Sequence, residues 1–453
     1  MIDLSAHQHV HVVGAGGAGM SAIAQVLATM GHEVSGSDLK PSRMFERLGR
    51  SGLRMTVGHD AANVFGATAL AISTAVPASN TEVREAARLG IPVLSRADVL
   101  AGIAALRRTI AVAGTHGKTT TSSMLSLILV EAGLKPSFII GGDVNDIGTN
   151  AVWEEGEWLV VEADESDGTF LRIGPEIAVV TNVEPDHLEH YGSFEALKES
   201  FRSFMAGASA CVVSADDATA MALAPNGATT FGRSERAAIR IGDIVAGRSE
   251  VAFPLEERGA DLGTFSVAVP GVYNASNATA AVAAAGAAGV DTEVARRALA
   301  RFAGVARRFE FRGEHNGVTF VDDYAHLPGE VRAVIAAARD GGFARVVAVF
   351  QPHRYSRIAA LARDFADAFT GADVVLVTEV YAAGEAPRPG VTGRLVVDAV
   401  LAAHPKAAIE YVASHDSLLE ALRAELRPGD CCLTLEAGDL TSLPDELIGD
   451  DRW

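Results

Sequence analysis

The chain has 453 residues, of which 49% are hydrophobic and 21% are charged, so its composition is that of a folded protein rather than a disordered one. Its length predicts two or three domains. The formal net charge of −19 argues against nucleic acid as a partner, because nucleic-acid binding requires a surplus of Lys and Arg. Cys211, Cys431 and Cys432 lack metal-ligand spacing and predict buried thiols in a reducing compartment.

The N-terminus has no basic stretch followed by an apolar run, so it does not resemble a signal peptide. No apolar segment reaches the length of a membrane span. We therefore expect a cytoplasmic protein without a membrane partner.

The first hundred residues alternate between strand-like and helical patterns, which is typical of a parallel sheet covered by helices. The predicted elements are strands at 9–14, 32–38, 69–74 and 91–95, and helices at 18–31 and 80–90. They predict a Rossmann-like N-terminal domain over residues 1–106. The turn after the first strand reads GAGGAG and comprises Gly14, Ala15, Gly16, Gly17, Ala18 and Gly19.

This turn is typical of a diphosphate site at the start of a helix, and Asp38 ends the next strand at the distance where an acid meets a ribose hydroxyl. Taken alone, the pattern indicates NAD. A UDP-sugar satisfies the same requirements, however, because it also presents a diphosphate beside a sugar. No hydride-transfer residues accompany the turn, and NAD would leave a second glycine-rich turn unexplained.

The second predicted domain covers residues 107–306 and opens with a strand at 109–114. Further strands are predicted at 157–164, 177–182 and 210–216, with helices at 193–207, 273–289 and 292–304. Short alternating runs between residues 228 and 270 predict an antiparallel insert. The order of elements indicates a central P-loop ATPase-like domain with a parallel sheet.

The second glycine-rich turn, GTHGKTT, lies between the first strand of this domain and a helix. Its glycines allow backbone N–H groups to turn inward on phosphates, toward which the helix directs its positive end. Lys118 would reach the β- and γ-phosphates, and the Thr119 hydroxyl would bind Mg²⁺. The match to the Walker pattern is partial, because Val112 stands where that pattern has its first glycine. An ordinary glycine-rich turn is the alternative.

A P-loop also requires a carboxylate that holds the metal near the end of a neighbouring strand. The candidates in VEADESD are Glu162, Asp164, Glu165 and Asp167, and we favour Glu162 because it directly follows the apolar run. Asp186 and His187 follow another predicted strand, where a neutral His can bind a metal or a phosphate. Acids that only cap or solvate a loop, and a His that only packs, are the alternatives.

The third predicted domain covers residues 307–453, with strands at 317–323, 344–350, 373–380, 407–412 and 431–435, and it reads as a C-terminal Rossmann-like α/β domain. Candidate ligand-binding residues follow two of these strands at the ends where open α/β sheets bind ligands: Tyr324, His326, His353, Arg354 and Arg357. Two arginines close together on a helix suit a carboxylate or a phosphate. A surface loop with ion pairs is the alternative.

Taken together, these stretches resemble the Mur ligase family of ATP-dependent amide ligases. The resemblance covers nearly the whole chain and is carried, in order, by HVVGAGGAGMSAIA, GHEVSGSD, GTHGKTTT, VEADESDGTFL, TNVEPDHLEHY, RRFEFRG, VDDYAHLPGEV, QPHRYSR and EVYAAGEAP. It implies three α/β domains. The first would hold UDP, the second ATP with Mg²⁺ or Mn²⁺, and the third adenine and the amino acid.

Residue roles follow from the same motifs. The resemblance implies that ATP is bound by Gly114, Thr115, His116, Gly117, Lys118, Thr119 and Thr120, and by Asn274, Asn277, Arg307, Arg308, Asp322 and Asp323 between domains. It implies that the GAGGAG turn, Asp38 and Ser73 bind the UDP-sugar, and that Thr119, Glu162 and His187 bind the metal. It further implies that Tyr324, His326, His353, Arg354 and Arg357 bind the amino acid. Lys118, His187, His353, Arg354 and Arg357 would be the catalytic set.

The implied reaction joins L-alanine to the lactoyl carboxylate of UDP-N-acetylmuramate through an acyl phosphate, as a step of peptidoglycan synthesis by a monomer or homodimer. A ligase that adds a whole tripeptide to the same UDP-sugar is the nearest alternative. An NAD-dependent dehydrogenase and a catalytically silent nucleotide-binding regulator are alternatives of other classes. Leu327 stands where a second His is expected and Glu436 where a Gly is expected. Lys198 lies in the helix that carries a carbamylated lysine in some relatives.

Overall fold

The computed structural model describes residues 2–73 and 75–450, which form three sheets with parallel cores. Met1 and residues 451–453, at the ends of the first and third predicted domains, lie outside the described residues, as does Thr74 in the strand predicted at 69–74. Within the described ranges, no helix combines the length and apolar character needed to cross a membrane.

The N-terminal segment contains five strands and four α-helices. They are β1 (His9–Val13), α1 (Ala18–Thr29), β2 (Glu33–Asp38), α2 (Arg43–Arg50), β3 (Arg54–Val57), β4 (Ala69–Ile72), α3 (Thr81–Leu89), β5 (Val93–Ser95) and α4 (Arg96–Ala104). All neighbouring strands are parallel, in the order β3-β2-β1-β4-β5. Side chains of Ser42, Asn80 and Ser95 cap α2, α3 and α4, because they accept hydrogen bonds from first-turn N–H groups. The predicted Rossmann-like sheet is confirmed, although α2, β3 and α4 were not predicted.

The central segment adds eleven strands and six α-helices. They are β6 (Arg108–Ala113), α5 (Lys118–Glu131), β7 (Ser137–Val144), β8 (Thr149–Val152), β9 (Trp158–Glu162), β10 (Ile177–Val180), α6 (Leu188–Tyr191), α7 (Phe194–Ala206), β11 (Ala210–Ser214), α8 (Ala218–Leu223), β12 (Thr229–Gly232), β13 (Ile239–Ile241), β14 (Val245–Ala246), β15 (Val251–Glu257), β16 (Ala260–Val267), α9 (Tyr273–Ala287) and α10 (Thr292–Leu299).

The parallel core of the central sheet runs in the order β12-β11-β10-β6-β9-β7. Because β6 lies between β9 and β10, the loops that follow all three strands leave the same edge of the sheet. The predicted antiparallel insert is confirmed for β15, which pairs in this way with β13 and β14, whereas β13 runs parallel to β12. The antiparallel pair of β7 and β8 was not predicted.

The C-terminal segment contains β17 (Glu310–His315), β18 (Val318–Asp323), α11 (Pro328–Asp340), β19 (Arg345–Phe350), α12 (Tyr355–Leu361), β20 (Val374–Val377), α13 (Arg394–Ala403), β21 (Ile409–Tyr411), α14 (His415–Glu425), β22 (Asp430–Leu435) and α15 (Leu443–Ile448). Its sheet has the order β17-β18-β22-β19-β20-β21, and only β17 pairs antiparallel. Apolar side chains pack on both faces, which explains the apolar run VVAVF of β19.

The chain divides into two compact units. One comprises Met1–Asp243, Phe253–Phe265 and Ser276–Phe302, and the other comprises Ile244–Ala252, Ser266–Ala275 and Ala303–Trp453. Within the second unit, Arg248 donates hydrogen bonds to the carbonyls of Gly341 (3.0 Å) and Gly342 (3.3 Å), and its guanidinium lies 4.4 Å from the ring centre of Phe343. The domain boundaries after residues 106 and 306 stay predictions.

Candidate active site

The P-loop lies between β6 and α5 and depends on two glycines with left-handed backbone angles. Gly114 has φ +135° and Gly117, at the N-cap of α5, has φ +81°. A Cβ on Gly114 would lie 2.1 Å from Thr181 Oγ1, and a Cβ on Gly117 would lie 2.4 Å from Asn277 Oδ1. Neither position tolerates a side chain without displacing a neighbour, so the close approach itself requires glycine.

Lys118 is the first residue of α5, and its side chain folds back over the loop. Its Nζ donates hydrogen bonds to the carbonyls of Gly114 (2.7 Å) and Thr115 (3.3 Å) and to Glu165 Oε1 (2.9 Å). Burial disfavours the ammonium ion, but the carboxylates of Glu165, Asp164 and Glu162 outweigh that effect and raise the pKa of Lys118. The lysine therefore carries its charge beside the backbone groups of the loop.

Thr181 and Asn182, which follow β10, hold the P-loop from the neighbouring strand. Asn182 Oδ1 accepts from the backbone N–H of His116 (2.8 Å), and Asn182 Nδ2 donates to the His116 carbonyl (3.1 Å). Thr181 Oγ1 donates to the same carbonyl (2.6 Å). Sequence reasoning missed both residues, although their position at the end of a strand beside the P-loop strand was a usable signal.

The other predicted ATP-binding residues of the first unit lie around the same loop. Thr115 Oγ1 accepts from the backbone N–H of Glu184 (2.9 Å), and His116 Nε2 lies 3.4 Å from Glu184 Oε2. Thr120 is buried in the first turn of α5. Asn277 lies within 3.5 Å of Thr121 Oγ1 as well as beside Gly117.

Glu162 and Thr119 meet at the end of β9. Glu162 Oε1 accepts from Thr119 Oγ1 (3.0 Å), while Glu162 Oε2 accepts from the backbone N–H of Gly141 (2.6 Å). A carboxylate beside a hydroxyl is the hard-oxygen chemistry that Mg²⁺ requires, so these two residues fit the implied metal. His187 has φ +53° and lies 3.2 Å from Asp186 Oδ2. In the described ranges no group of three or more His, Cys, Asp and Glu residues has the geometry of a metal site.

The GAGGAG turn is tied to the end of β2. The Ser37 carbonyl accepts from the N–H groups of Gly14 (2.9 Å) and Ala15 (3.1 Å), and Asp38 Oδ2 accepts from the N–H of Gly16 (2.8 Å). A Cβ on Gly14 would lie 3.1 Å from Ser73 Oγ, so Ser73 adjoins the turn as well. α1 starts at Ala18, and Gly17 provides no side-chain cap for it. The helix N-terminus is thus a favourable position for an anion.

A buried carboxylate, Glu82 of α3, is connected to this turn through Ser37. It accepts hydrogen bonds from Ser37 Oγ (2.7 Å), His59 Nδ1 (3.0 Å) and Asn63 Nδ2 (2.6 Å). Burial alone would raise its pKa, but the nearby His11 ring, 3.6 Å away, and hydrogen bonds from Asn63 and Ser37 outweigh burial and lower the pKa of Glu82 to about 2.

We expect Glu82→Ala to lower the free energy of unfolding by about 2–4 kcal/mol at pH 7, because it leaves buried donors without an acceptor. Because the folded-state pKa is below the unfolded one, this contribution is present above about pH 4.5 and is lost as the pH falls toward 2. Urea denaturation at pH 7 and at pH 3 measures both effects. Glu85→Ala on the same helix is the control and should leave the midpoint nearly unchanged. Equal midpoints for the two variants would contradict the prediction.

In the second unit, Arg307 and Arg308 flank Tyr324. The two guanidinium groups lie 4.7 and 5.3 Å from the ring centre, and Arg307 forms an ion pair with the fully buried Glu436. Glu436, which stands where a Gly is expected, is therefore the ion-pair partner of Arg307, one of the predicted nucleotide-binding residues. Asn274 is buried and donates to the Pro270 carbonyl (2.7 Å).

Two further residues singled out in the sequence make local contacts. They are Leu327, which stands where a second His is expected, and Lys198, the candidate for carbamylation. The backbone N–H of Leu327 donates to Glu330 Oε2 (3.1 Å) at the start of α11. Lys198 Nζ lies 2.7 Å from Glu195 Oε1 on the surface of α7 and 4.5 Å from the ring centre of Phe194.

Asp322 and Asp323 end β18 and are both buried. Burial raises the pKa of Asp322 to about 7, with Glu436 adding to the effect and Thr441, Arg307 and Arg312 opposing it. Burial also raises the pKa of Asp323 to about 6. Both carboxyl groups therefore titrate closer to neutrality than exposed aspartates do.

This upward shift predicts a pH dependence of stability. Between about pH 4 and pH 7 the folded state binds a proton at Asp322 that the unfolded state has released, so stability falls as the pH rises. Asp322→Asn should remove up to about 1.4 kcal/mol of this loss per pH unit in that window. Urea denaturation of both proteins at pH 5, 6, 7 and 8 measures the difference. Parallel stability curves for the two proteins would contradict the assignment.

The residues of the predicted amino-acid site lie around His353, in the loop that follows β19. Its Nδ1 accepts from Arg357 Nη1 (2.9 Å), its ring stacks on Tyr381 at 5.7 Å, and its ring centre lies 5.6 Å from that of His326. Burial, together with the nearby cations, lowers the pKa of His353 to about 3, so the imidazole is neutral at pH 7. Arg354 is exposed and has φ +66° before α12. The structure thus brings His326, His353 and Arg357 together, with Arg354 beside them.

The chain is similar to known proteins over nearly its whole length. Family models match at residues 9–108 (Mur ligase family, catalytic domain), 112–285 (Mur ligase middle domain) and 307–438 (Mur ligase, glutamate ligase domain). A UDP-N-acetylmuramate–L-alanine ligase of Anaeromyxobacter dehalogenans is 45% identical over 446 residues, covering 97% of each chain. That of Rubrobacter xylanophilus is 45% identical over 451 residues, covering 97% of this chain and 99% of its own.

A solved structure shows the same fold. The crystal structure of the UDP-N-acetylmuramate-alanine ligase of Thermotoga maritima matches with a TM-score of 0.86 and 28% identity over 98% of each chain. The three-domain α/β fold expected from the sequence is confirmed, and the dehydrogenase alternative is not favoured. The resemblance noted in the motifs is likewise confirmed: the chain belongs to the Mur ligase family.

Proposed function

We propose that this protein is an ATP-dependent ligase that joins L-alanine to the lactoyl carboxylate of UDP-N-acetylmuramate in peptidoglycan synthesis. The observation that carries the proposal is the charged Lys118 folded over the glycine loop at the start of α5, in a chain that has a second glycine turn at the start of α1. The names of relatives 45% identical over 97% of the chain support the choice of substrates.

In the first step the substrate carboxylate attacks the γ-phosphorus of ATP, which gives an acyl phosphate and ADP. This activation is required because a carboxylate is too poor an electrophile to accept an amine. Lys118 exchanges its contact with Glu165 for the phosphates and stabilises charge on the transferred group. Backbone N–H groups from Gly114 to Thr120 hold the remaining phosphates.

Thr119 and Glu162 would hold Mg²⁺, with His187 as a further candidate ligand, and the ion would offset the negative charge of the triphosphate. The existing contact between Thr119 Oγ1 and Glu162 Oε1 supports this assignment, because both oxygens already meet at one point. Mn²⁺ would satisfy the same donors.

In the second step the neutral amine of L-alanine attacks the acyl carbon, and the tetrahedral intermediate releases phosphate to give the amide. Arg354 and Arg357 would bind the carboxylate of L-alanine, since guanidinium groups match carboxylate geometry. The neutral His353 orients Arg357 by accepting its hydrogen bond. Tyr324 and His326 complete the amino-acid site, and Arg307, Arg308, Asp322, Asp323, Asn274 and Asn277 would bind the nucleotide.

The test is phosphate release from ATP and Mg²⁺ with UDP-N-acetylmuramate and a panel of amines. L-Alanine should support turnover more strongly than glycine, serine or the tripeptide L-alanyl-γ-D-glutamyl-meso-diaminopimelate. Preference for the tripeptide would assign the chain to the alternative ligase activity. No ADP with any amine would overturn the proposal, and a change in NADH fluorescence on mixing would revive the dehydrogenase alternative.

The proposal also retains a cytoplasmic location and a monomeric or homodimeric state. UDP-linked precursors and ATP are the substrates it requires, which favours the cytoplasm. Light scattering during size-exclusion chromatography distinguishes the monomer from the dimer.

A further inference from the structure

Arg96, the first residue of α4, lies against the first turn of α1. A Cβ on Gly19 would lie 2.9 Å from Arg96 Nε and 3.2 Å from its Cζ, so the absence of a side chain at Gly19 makes room for the guanidinium. The backbone that carries Arg96 is fixed, because Ser95 and Asp98 form a capping box at the start of α4. The arginine is therefore held beside the GAGGAG turn.

The hydrogen-bond donors of the Arg96 guanidinium are only partly paired in this position. Its Nη1 lies 3.5 Å from Asp164 Oδ2 and 4.0 Å from Asp167 Oδ2, which are long distances for charge-assisted hydrogen bonds. Its Nε is buried and has no hydrogen-bond partner among the described residues. The Nε faces Gly19, but the Arg96 side chain is 22% exposed, so a ligand acceptor can still meet the accessible part of the guanidinium. An unpaired buried donor is costly, and charge-assisted contacts to a ligand would offset that cost.

The surroundings of Arg96 select an anion as that ligand. The N-terminal end of α1 has neither a side-chain cap nor an acidic residue in its first turn, so its N–H groups and the guanidinium present positive charge together. A diphosphate offers several acceptor oxygens in the geometry that arginine matches.

We propose that Arg96 is a binding residue for the diphosphate of the UDP-sugar and that Asp164 and Asp167 hold its guanidinium in place before the ligand binds. The proposal rests on the proposed function, because it takes the UDP-sugar to be the ligand of the GAGGAG turn. Nothing in the motifs pointed to Arg96, which lies in a different helix from the turn it contacts.

Arg96 also contacts the acidic loop that follows β9. Asp164, which it faces, adjoins Glu165, the partner of Lys118, and the Asp164 carboxylate contributes to the raised pKa of Lys118. One arginine thus contacts the start of α1 and the acidic loop that positions the P-loop lysine.

The test compares affinities for UDP by isothermal titration calorimetry without ATP. Arg96→Gln should weaken UDP binding about 10- to 100-fold, because a charge-assisted contact to phosphate is lost, and Arg96→Lys should recover part of it. Asp164→Asn should weaken UDP binding several-fold, because the guanidinium loses a carboxylate that holds it in place. Arg47→Gln is the matched control: Arg47 pairs with Asp143 at 3.0 Å but does not contact Gly19, so its loss should leave UDP affinity unchanged.

Competition with uridine separates binding from folding, because uridine lacks the diphosphate. Arg96→Gln should leave uridine affinity unchanged while UDP affinity falls. Equal losses for both ligands, or unchanged UDP affinity, would overturn the inference. Failure of the unmodified protein to bind UDP or UDP-N-acetylmuramate would instead overturn the proposed function.

Discussion

Lys118→Ala should reduce turnover by about a thousandfold while UDP-N-acetylmuramate still binds, because the variant loses the charge that stabilises the transferred phosphoryl group. The structure supports this separation, since Lys118 contacts the P-loop carbonyls and Glu165, while the GAGGAG turn is held by Ser37 and Asp38. Single-turnover formation of ADP and calorimetric binding of the UDP-sugar measure the two effects independently.

Removal of Lys118 also leaves Glu165 buried, 2% exposed, without its cation. The double variant Lys118→Ala with Glu165→Gln removes that unpaired charge, so it should regain thermal stability without regaining turnover. Lys135→Gln is the matched control, because Lys135 pairs with Glu155 on the surface and should retain full activity. Turnover by Lys118→Ala equal to that of the unmodified protein would refute the role of the lysine.

Gly114→Ala should lower turnover by about a hundredfold or more, because a displacement of about 1 Å in a positioning loop is sufficient for such a loss. The new methyl group would lie 2.1 Å from Thr181 Oγ1 and 3.0 Å from the backbone N of Asn182. Both residues hold His116 in place, so relief of the clash must distort the loop. The measurements are ATP affinity and the rate of phosphate release.

Gly133→Ala provides a control in which the new alanine also has a positive φ but meets no clash. Gly133 has φ +73°, and an added Cβ would meet nothing within 4 Å. It should therefore lose about 1–2 kcal/mol of stability from the left-handed conformation and keep its ATP affinity. Loss of ATP affinity in both variants to the same extent would show that general destabilisation, rather than the contact with Thr181, explains the effect.

The sequence predicted both glycine turns and the strands that precede them because each has a local pattern. The run IAVA followed by GTHGK defines β6, the P-loop and the start of α5 without any distant residue. The carboxyl ends of β6, β9 and β10 were also predicted as the site, because parallel strands place the loops that follow them at one edge.

Residues that act across the fold could not be assigned in this way. Glu162 ends β9 and three more acids follow within five positions, and the sequence pattern alone does not show that Glu162 meets Thr119 while Glu165 meets Lys118. Strand register places Glu162 opposite Val112, but the path of the following loop determines where Glu165 lies. Arg96 was even less predictable, since it lies in a different helix from Gly19 and the two meet only after folding.

The second compact unit is built from three separated stretches of chain, and this has a consequence for dissecting the protein. A fragment cut out at residue 303 would omit residues 244–252, and with them Arg248, which bonds to the carbonyls of Gly341 and Gly342 and covers Phe343. The Phe343 ring and the carbonyls of Gly341 and Gly342 would then lose the contacts that Arg248 provides. Autonomous refolding of the C-terminal part therefore requires that the earlier stretches be supplied as well, either in the same polypeptide or as added peptides.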